Sequence, residues 1–133
     1  MNKHKTQGVA ILEALVAILI FSIGILGLIG LQAAMTQAQT TGKIRSDAVN
    51  LAEDLFALIQ TDHQSNLTQY QTANCATYSR CADWLAKVSR LLPGAGTPAI
   101  ARNATSGLVT VTLNWAEPNG QAHQYVASMT WNP

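Results

Sequence analysis

The apolar and polar positions of this chain change rhythm three times, and each change marks a different kind of element. From Val9 to Leu31 the run VAILEALVAILIFSIGILGLIGL holds 23 residues with Glu13 as the single ionisable side chain. A helix of that length rises about 34 Å, enough for a hydrocarbon core of about 30 Å. From Gln32 to about Asp62 there is no proline, and Ile44, Ala48, Leu51, Leu55 and Leu58 recur at helical spacing with Ala52 and Ile59 beside them. Arg45, Asp47, Asn50, Asp54 and Gln60 fall on the opposite face. The pattern predicts one long helix, apolar all round in its first half and amphipathic in its second. A break at Thr40-Thr41-Gly42 is the competing expectation, although a lone Gly costs a helix only about 1 kcal/mol.

After Asp62 the chain is polar through HQSNLTQYQTANCATYSRCADW. Cys81 to Leu92 predicts a short helix with Trp84, Val88 and Leu91 on one face, stopped by Pro93-Gly94. The rhythm then alternates. Ala99 to Arg102 is a short strand, and Leu108 to Trp115 a firmer one with Val109, Val111, Leu113 and Trp115 in phase. Pro118-Asn119-Gly120 supplies a turn. The return strand, Gln124 to Trp131, puts Tyr125, Ala127, Met129 and Trp131 on one face of an antiparallel hairpin. Three strands with one apolar face can cover the amphipathic helix, which makes the fold class α+β.

Lys3, His4 and Lys5 precede the apolar run and no basic residue follows until Lys43, so the positive-inside bias leaves the N-terminus in the cytoplasm and the remainder outside. A cleaved secretory signal has an apolar core of only about 7–15 residues before small residues at the cut; here the core is longer and Thr36-Gln37-Ala38 makes a poor site. A plain anchor fits the length but leaves Glu13 without a purpose. Acidic groups at mid-membrane cost roughly 2.5–3.5 kcal/mol on insertion scales, less near the interface, and such groups usually have partners.

The leader Met1 to Gly8 ends in a single Gly directly before the apolar helix, and Glu13 is the fifth residue of the chain that starts at Val9. Lys5-x-x-Gly8 followed by Val9-Ala10-Ile11-Leu12-Glu13 resembles the class III signal of type IV prepilins and related secretion pseudopilins. The continuation from Ala14 to Gln32 is most similar to PilV-type minor pilins. The resemblance implies that a membrane prepilin peptidase cuts between Gly8 and Val9 on the cytoplasmic side and methylates the new amine of Val9. It also implies that Glu13 pairs with the amine of an adjacent subunit during assembly. Val9 departs from the family pattern, which most often has Phe there. By this resemblance the fold is pilin-like, with a membrane-spanning and then amphipathic N-terminal helix packed on a small antiparallel sheet. Its divisions are a cleaved leader over 1–8, the membrane-embedded half of the helix over 9–31, the amphipathic half over 32–62, and a globular head over 63–133.

Gly24, Gly27 and Gly30 recur every three residues in the membrane half. They can let two helices approach closely, or mark the segment that family members unwind in assembled pili, or be ordinary glycines of a membrane helix.

Composition narrows the chemistry. Removing Lys3 and Lys5 leaves six basic against seven acidic side chains, a formal net charge of −1, with no basic face for nucleic acid. The chain has room for one membrane helix and one domain. Cys75 and Cys81 are the only cysteines, and in an oxidising compartment such a pair forms a disulfide. The alternative is a metal site of the two cysteines with His63 and His123, against which stand the C-x5-C spacing and the distance in sequence between the histidines. No base marks either cysteine as a nucleophile. Asn66-Leu67-Thr68 and Asn103-Ala104-Thr105 match a glycosylation acceptor pattern too short to carry weight. Asp62-His63 reads as a solvated helix end rather than an acid–base pair.

The expectation is therefore a non-enzymatic subunit without cofactor or metal. Before assembly it sits in the inner membrane, single pass, with its head in the periplasm, and afterwards it is part of the pilus filament, or fimbrium. Its expected partners are the prepilin peptidase, other minor pilins, the major pilin and a tip adhesin, with roles open among adhesion, twitching motility and DNA uptake. A minor pseudopilin of a type II secretion system shares the leader and stem. A simple membrane-anchored binding domain does not predict processing at Gly8.

Overall fold

The computed structural model describes residues 5–131, with side chains from Val9 onward. Met1–His4 of the expected leader, and the side chains of the rest of it through Gly8, lie outside the described residues. The chain divides into two units, one ending at Thr40 and one starting at Thr41.

The first unit is the apolar part of α1 (Lys5–Gln60), a helix of 56 residues. Its large side chains point outward on every side, Leu12, Phe21 and Leu26 among them. Ser22 turns its hydroxyl back onto the Ile18 carbonyl at 2.7 Å, and Thr36 does the same to Gln32 at 2.9 Å. Both hydroxyls thereby find an acceptor without water. The helix continues through Gly24, Gly27 and Gly30, so unwinding at these glycines is not a property of the isolated chain.

The second unit begins inside α1. Ile44, Ala48, Leu51, Ala52, Leu55 and Ile59 are buried in one stripe, whereas Leu58 is only half-buried. Ile59 closes the stripe because 3.6 residues per turn carries it from 55 to 59 rather than to 58. The helix stops at Gln60, slightly short of the expected Asp62. There the Asp62 Oδ1 accepts the His63 N–H at 2.7 Å, a local bond that competes with another helical turn.

The polar connection is more ordered than its composition predicts. It forms a 3₁₀ helix, η1 (Gln64–Tyr70), and one helical turn, α2 (Thr72–Cys75), with Leu67, Tyr70 and Cys75 buried. Helix α3 (Ser79–Leu91) buries Cys81, Trp84 and Val88. Leu91, expected on that face, is 40% exposed, and Leu92 takes its place at 1%. The reason is the cap: Leu92 has extended backbone, φ −102° and ψ 118°, which ends the helix and turns its side chain inward. Trp84 also donates its indole N–H to the Leu51 carbonyl at 2.8 Å, joining α3 to α1 inside the core.

Strands β1 (Ala99–Arg102), β2 (Leu108–Ala116) and β3 (Ala122–Thr130) form an antiparallel sheet in the order β1-β2-β3. Val109, Val111, Leu113 and Trp115 of β2 are buried with the α1 stripe, Trp84 and Val88 in one cluster. The turn between β2 and β3 has Gly120 at φ +84°, a conformation L side chains rarely adopt. The fold is α+β and pilin-like, a long N-terminal helix packed with a small three-stranded antiparallel sheet.

Candidate functional site

Among the described residues, one helix is long and apolar enough to cross a membrane. Val9 and Glu13 lie four residues apart on it, hence on one face and one turn from each other. Both are exposed. Gly8, the other half of the expected cleavage junction, is helical, and its surroundings lie outside the described residues. The ion pairs among the described residues are Arg80 with Asp62 and Lys87 with Asp54, and His123 lies against Glu117. None involves Glu13. A carboxylate thus stands on a wholly apolar helical surface one turn from where cutting after Gly8 would place a positive amine.

Cys75 and Cys81 are joined by a disulfide between buried residues, with Cα atoms 5.0 Å apart. Their sulfurs are bonded to each other, which removes them as metal ligands.

The head contains two polar clusters that the sequence did not reveal. Asp62 is not a solvated helix end. Its side chain is 8% exposed, and Oδ2 accepts hydrogen bonds from Tyr70 at 2.6 Å and Tyr78 at 2.5 Å, while Asn66 donates to Oδ1 at 3.0 Å and Arg80 lies 3.3 Å away. The Tyr70 hydroxyl, then those of Tyr78 and the Asn66 amide, hold the Asp62 carboxyl well below the usual carboxylate range. Burial, then the bond to Asp62, pushes the Tyr70 phenol up; the bond to Asp62, then burial, does the same to Tyr78. The two rings also meet edge to face, centroids 5.3 Å apart. The spacing 62, 66, 70, 78 carries a faint helical signal, but it could not show that η1 and α3 turn back onto one carboxylate.

In the second cluster His123 Nε2 lies 3.0 Å from Glu117 Oε1, and its ring stacks on Trp115 with centroids 5.6 Å apart. Glu117 follows β2, and the hairpin turn brings His123 back beside it. Neither cluster places a nucleophile beside a base at an accessible surface. Both tie segments of the head together.

Compared with family models, with curated proteins and with solved structures, the chain matches none.

Proposed function

We propose that this chain is a minor subunit of a type IV pilus. It is held in the inner membrane by the first half of α1, with the N-terminus cytoplasmic and the head periplasmic, until it is drawn into the filament. It is a substrate of the prepilin peptidase, which cuts after Gly8 and methylates Val9, and not itself an enzyme. Its activity is assembly: with other minor pilins and the major pilin it primes the filament, at whose tip it can remain and meet an adhesin.

The observation that carries this reading is the single carboxylate of Glu13, one turn beyond the Gly8–Val9 junction on an exposed apolar helix. Two opposite charges about 4 Å apart attract by roughly 4 kcal/mol at an effective dielectric near 20, whereas a buried unpaired charge costs several. Pairing of Glu13 with the Val9 amine of a staggered neighbour would therefore both remove that cost and set the axial register of the two stems. The α+β head behind the helix supports the same reading.

The test is the mass of the membrane-extracted protein in cells with an active prepilin peptidase. The expected N-terminus is Val9 with one added methyl group, and an intact leader refutes the proposal. The same leader and stem occur in minor pseudopilins, so the identity of the subunits that co-purify decides between pilus and secretion system.

A further inference from the structure

The two outer edges of the sheet are treated differently. Along β2 and β3, Trp131 donates its N–H to the Gly107 carbonyl and Glu117 donates to the Gln121 carbonyl. Both bonds join pairs in the β2–β3 register, so the odd-numbered residues of β3 are those bonded to β2. The alternation of antiparallel pairing then points the N–H and C=O groups of Ala122, Gln124, Val126, Ser128 and Thr130 away from the sheet. By the same logic, the bond from Asn103 N–H to the Leu108 carbonyl turns the N–H and C=O of Ile100 outward from β1. There Thr72 of α2 occupies them, accepting the Ile100 N–H at 2.7 Å and donating to its carbonyl at 3.2 Å. On the β1 edge, four residues long, Ile100 is thus capped by the protein's own α2.

No group among the described residues pairs with the outward row of β3. Exposed edges are usually blunted by lysine, proline, a bulge or very short length. β3 has none of these: it runs nine residues in unbroken register and carries no proline and no Asp, Glu, Lys or Arg. Its outward side chains are small or neutral, and Val126 is 53% exposed. Beneath the edge, Tyr125, Ala127 and Met129 are only partly covered by the core.

We infer that the outer edge of β3 is an assembly edge that takes an extended strand from a different subunit of the same filament. A row of alternating backbone donors and acceptors is complementary to another polypeptide strand and to little else. Two arguments point away from a second copy of this chain. On its β1 edge, Thr72 already occupies the Ile100 N–H and carbonyl. Pairing of β3 with β3 about a two-fold axis through Val126 would close on itself as a symmetric dimer, whereas subunits that extend a filament meet head to tail. This second argument rests on the pilus-subunit reading above.

The decisive variant is Val126→Pro. The Val126 N–H points outward, so proline there removes a donor from the free edge and none from the ladder with β2. In the full chain, expressed with its sister subunits and extracted in detergent, recovery of those subunits is expected to fall at least tenfold, while Val126→Thr, which keeps the N–H, stays at the wild-type level. A single cooperative urea transition followed by tryptophan fluorescence shows that Val126→Pro is folded. If it is not, amide exchange in the wild-type chain provides the test: exchange across Ala122–Thr130 is expected to slow on assembly while β1 is unchanged. A photo-crosslinking residue replacing Gln124 should give an adduct to a second membrane-anchored subunit. Unchanged recovery with folded Val126→Pro, unchanged exchange, or an adduct to this chain itself would each overturn the inference. Processing at Val9, measured on the same samples, reports separately on the pilus reading.

Discussion

Tyr70 donates its hydroxyl to Asp62 Oδ2 at 2.6 Å, so the first residues beyond the long helix are closed around one carboxylate. Tyr78 donates to the same oxygen from within the loop that the Cys75–Cys81 disulfide closes. The bonds join the end of α1, η1 and the start of α3, and they are strongest while Asp62 is ionised and both phenols are protonated.

Stability should therefore fall at both ends of the pH scale. Asp62 has a folded-state pKa below its ordinary 3.8, so its contribution is present above that value and is lost as the pH falls below it. Tyr70 and Tyr78 are raised above their ordinary 10.0, so theirs is present below pH 10 and is lost as the pH rises further. Thermal melts of the detergent-solubilised chain should show Asp62→Asn less stable than wild type at pH 7, with the difference shrinking towards pH 2. A constant difference across that range would separate Asp62 from the acid transition.

Reduction of the Cys75–Cys81 disulfide opens only a small loop, since six positions separate the cysteines. On the chain-entropy account its loss should cost about 2 kcal/mol. Urea titration followed by tryptophan fluorescence should show a Cys75→Ala, Cys81→Ala variant still unfolding in one transition at a lower midpoint. Loss of the transition altogether would give the disulfide a larger role than its position implies.

The inward turn at Leu92 makes a prediction about two adjacent leucines. Leu92→Ala removes a side chain that is 1% exposed and should cost about 2–5 kcal/mol. Leu91→Ala, at 40% exposure, should stay within roughly 1 kcal/mol of wild type. The same titration measures both, and equal losses would contradict the placement of the helix end.

Glu13→Ala should leave membrane insertion and processing at Val9 largely intact, because it removes a charge from an apolar helix. Assembly should suffer. Losing an attraction of even 1.4 kcal/mol lowers an association constant about tenfold, so the subunit should be depleted by at least that factor in co-purified minor-pilin complexes and in sheared filaments. Immunoblots at wild-type levels in both would return Glu13 to the status of a tolerated residue in a plain anchor.

Local pattern alone determined the elements that one periodicity controls. The 23-residue apolar run, the stripe from Ile44 to Leu55, and the alternation of Val109, Val111, Leu113 and Trp115 each repeat one relation between neighbours, so sequence separation reports face directly. Gly120 marked its turn because few residues adopt its backbone conformation. The Glu13 position was legible for another reason: a charge in lipid-soluble surroundings stands out wherever the chain goes. Tertiary structure decided whatever depends on segments meeting from a distance. Whether Asp62 was solvated depended on Tyr70 and Tyr78 returning to it, and whether Leu91 or Leu92 turned inward depended on the cap. The difference between the sheet edges depended on Thr72 reaching Ile100 across 28 positions. Such contacts leave no period in the sequence, since they are fixed by how the chain closes on its core and not by the repeat of any one element.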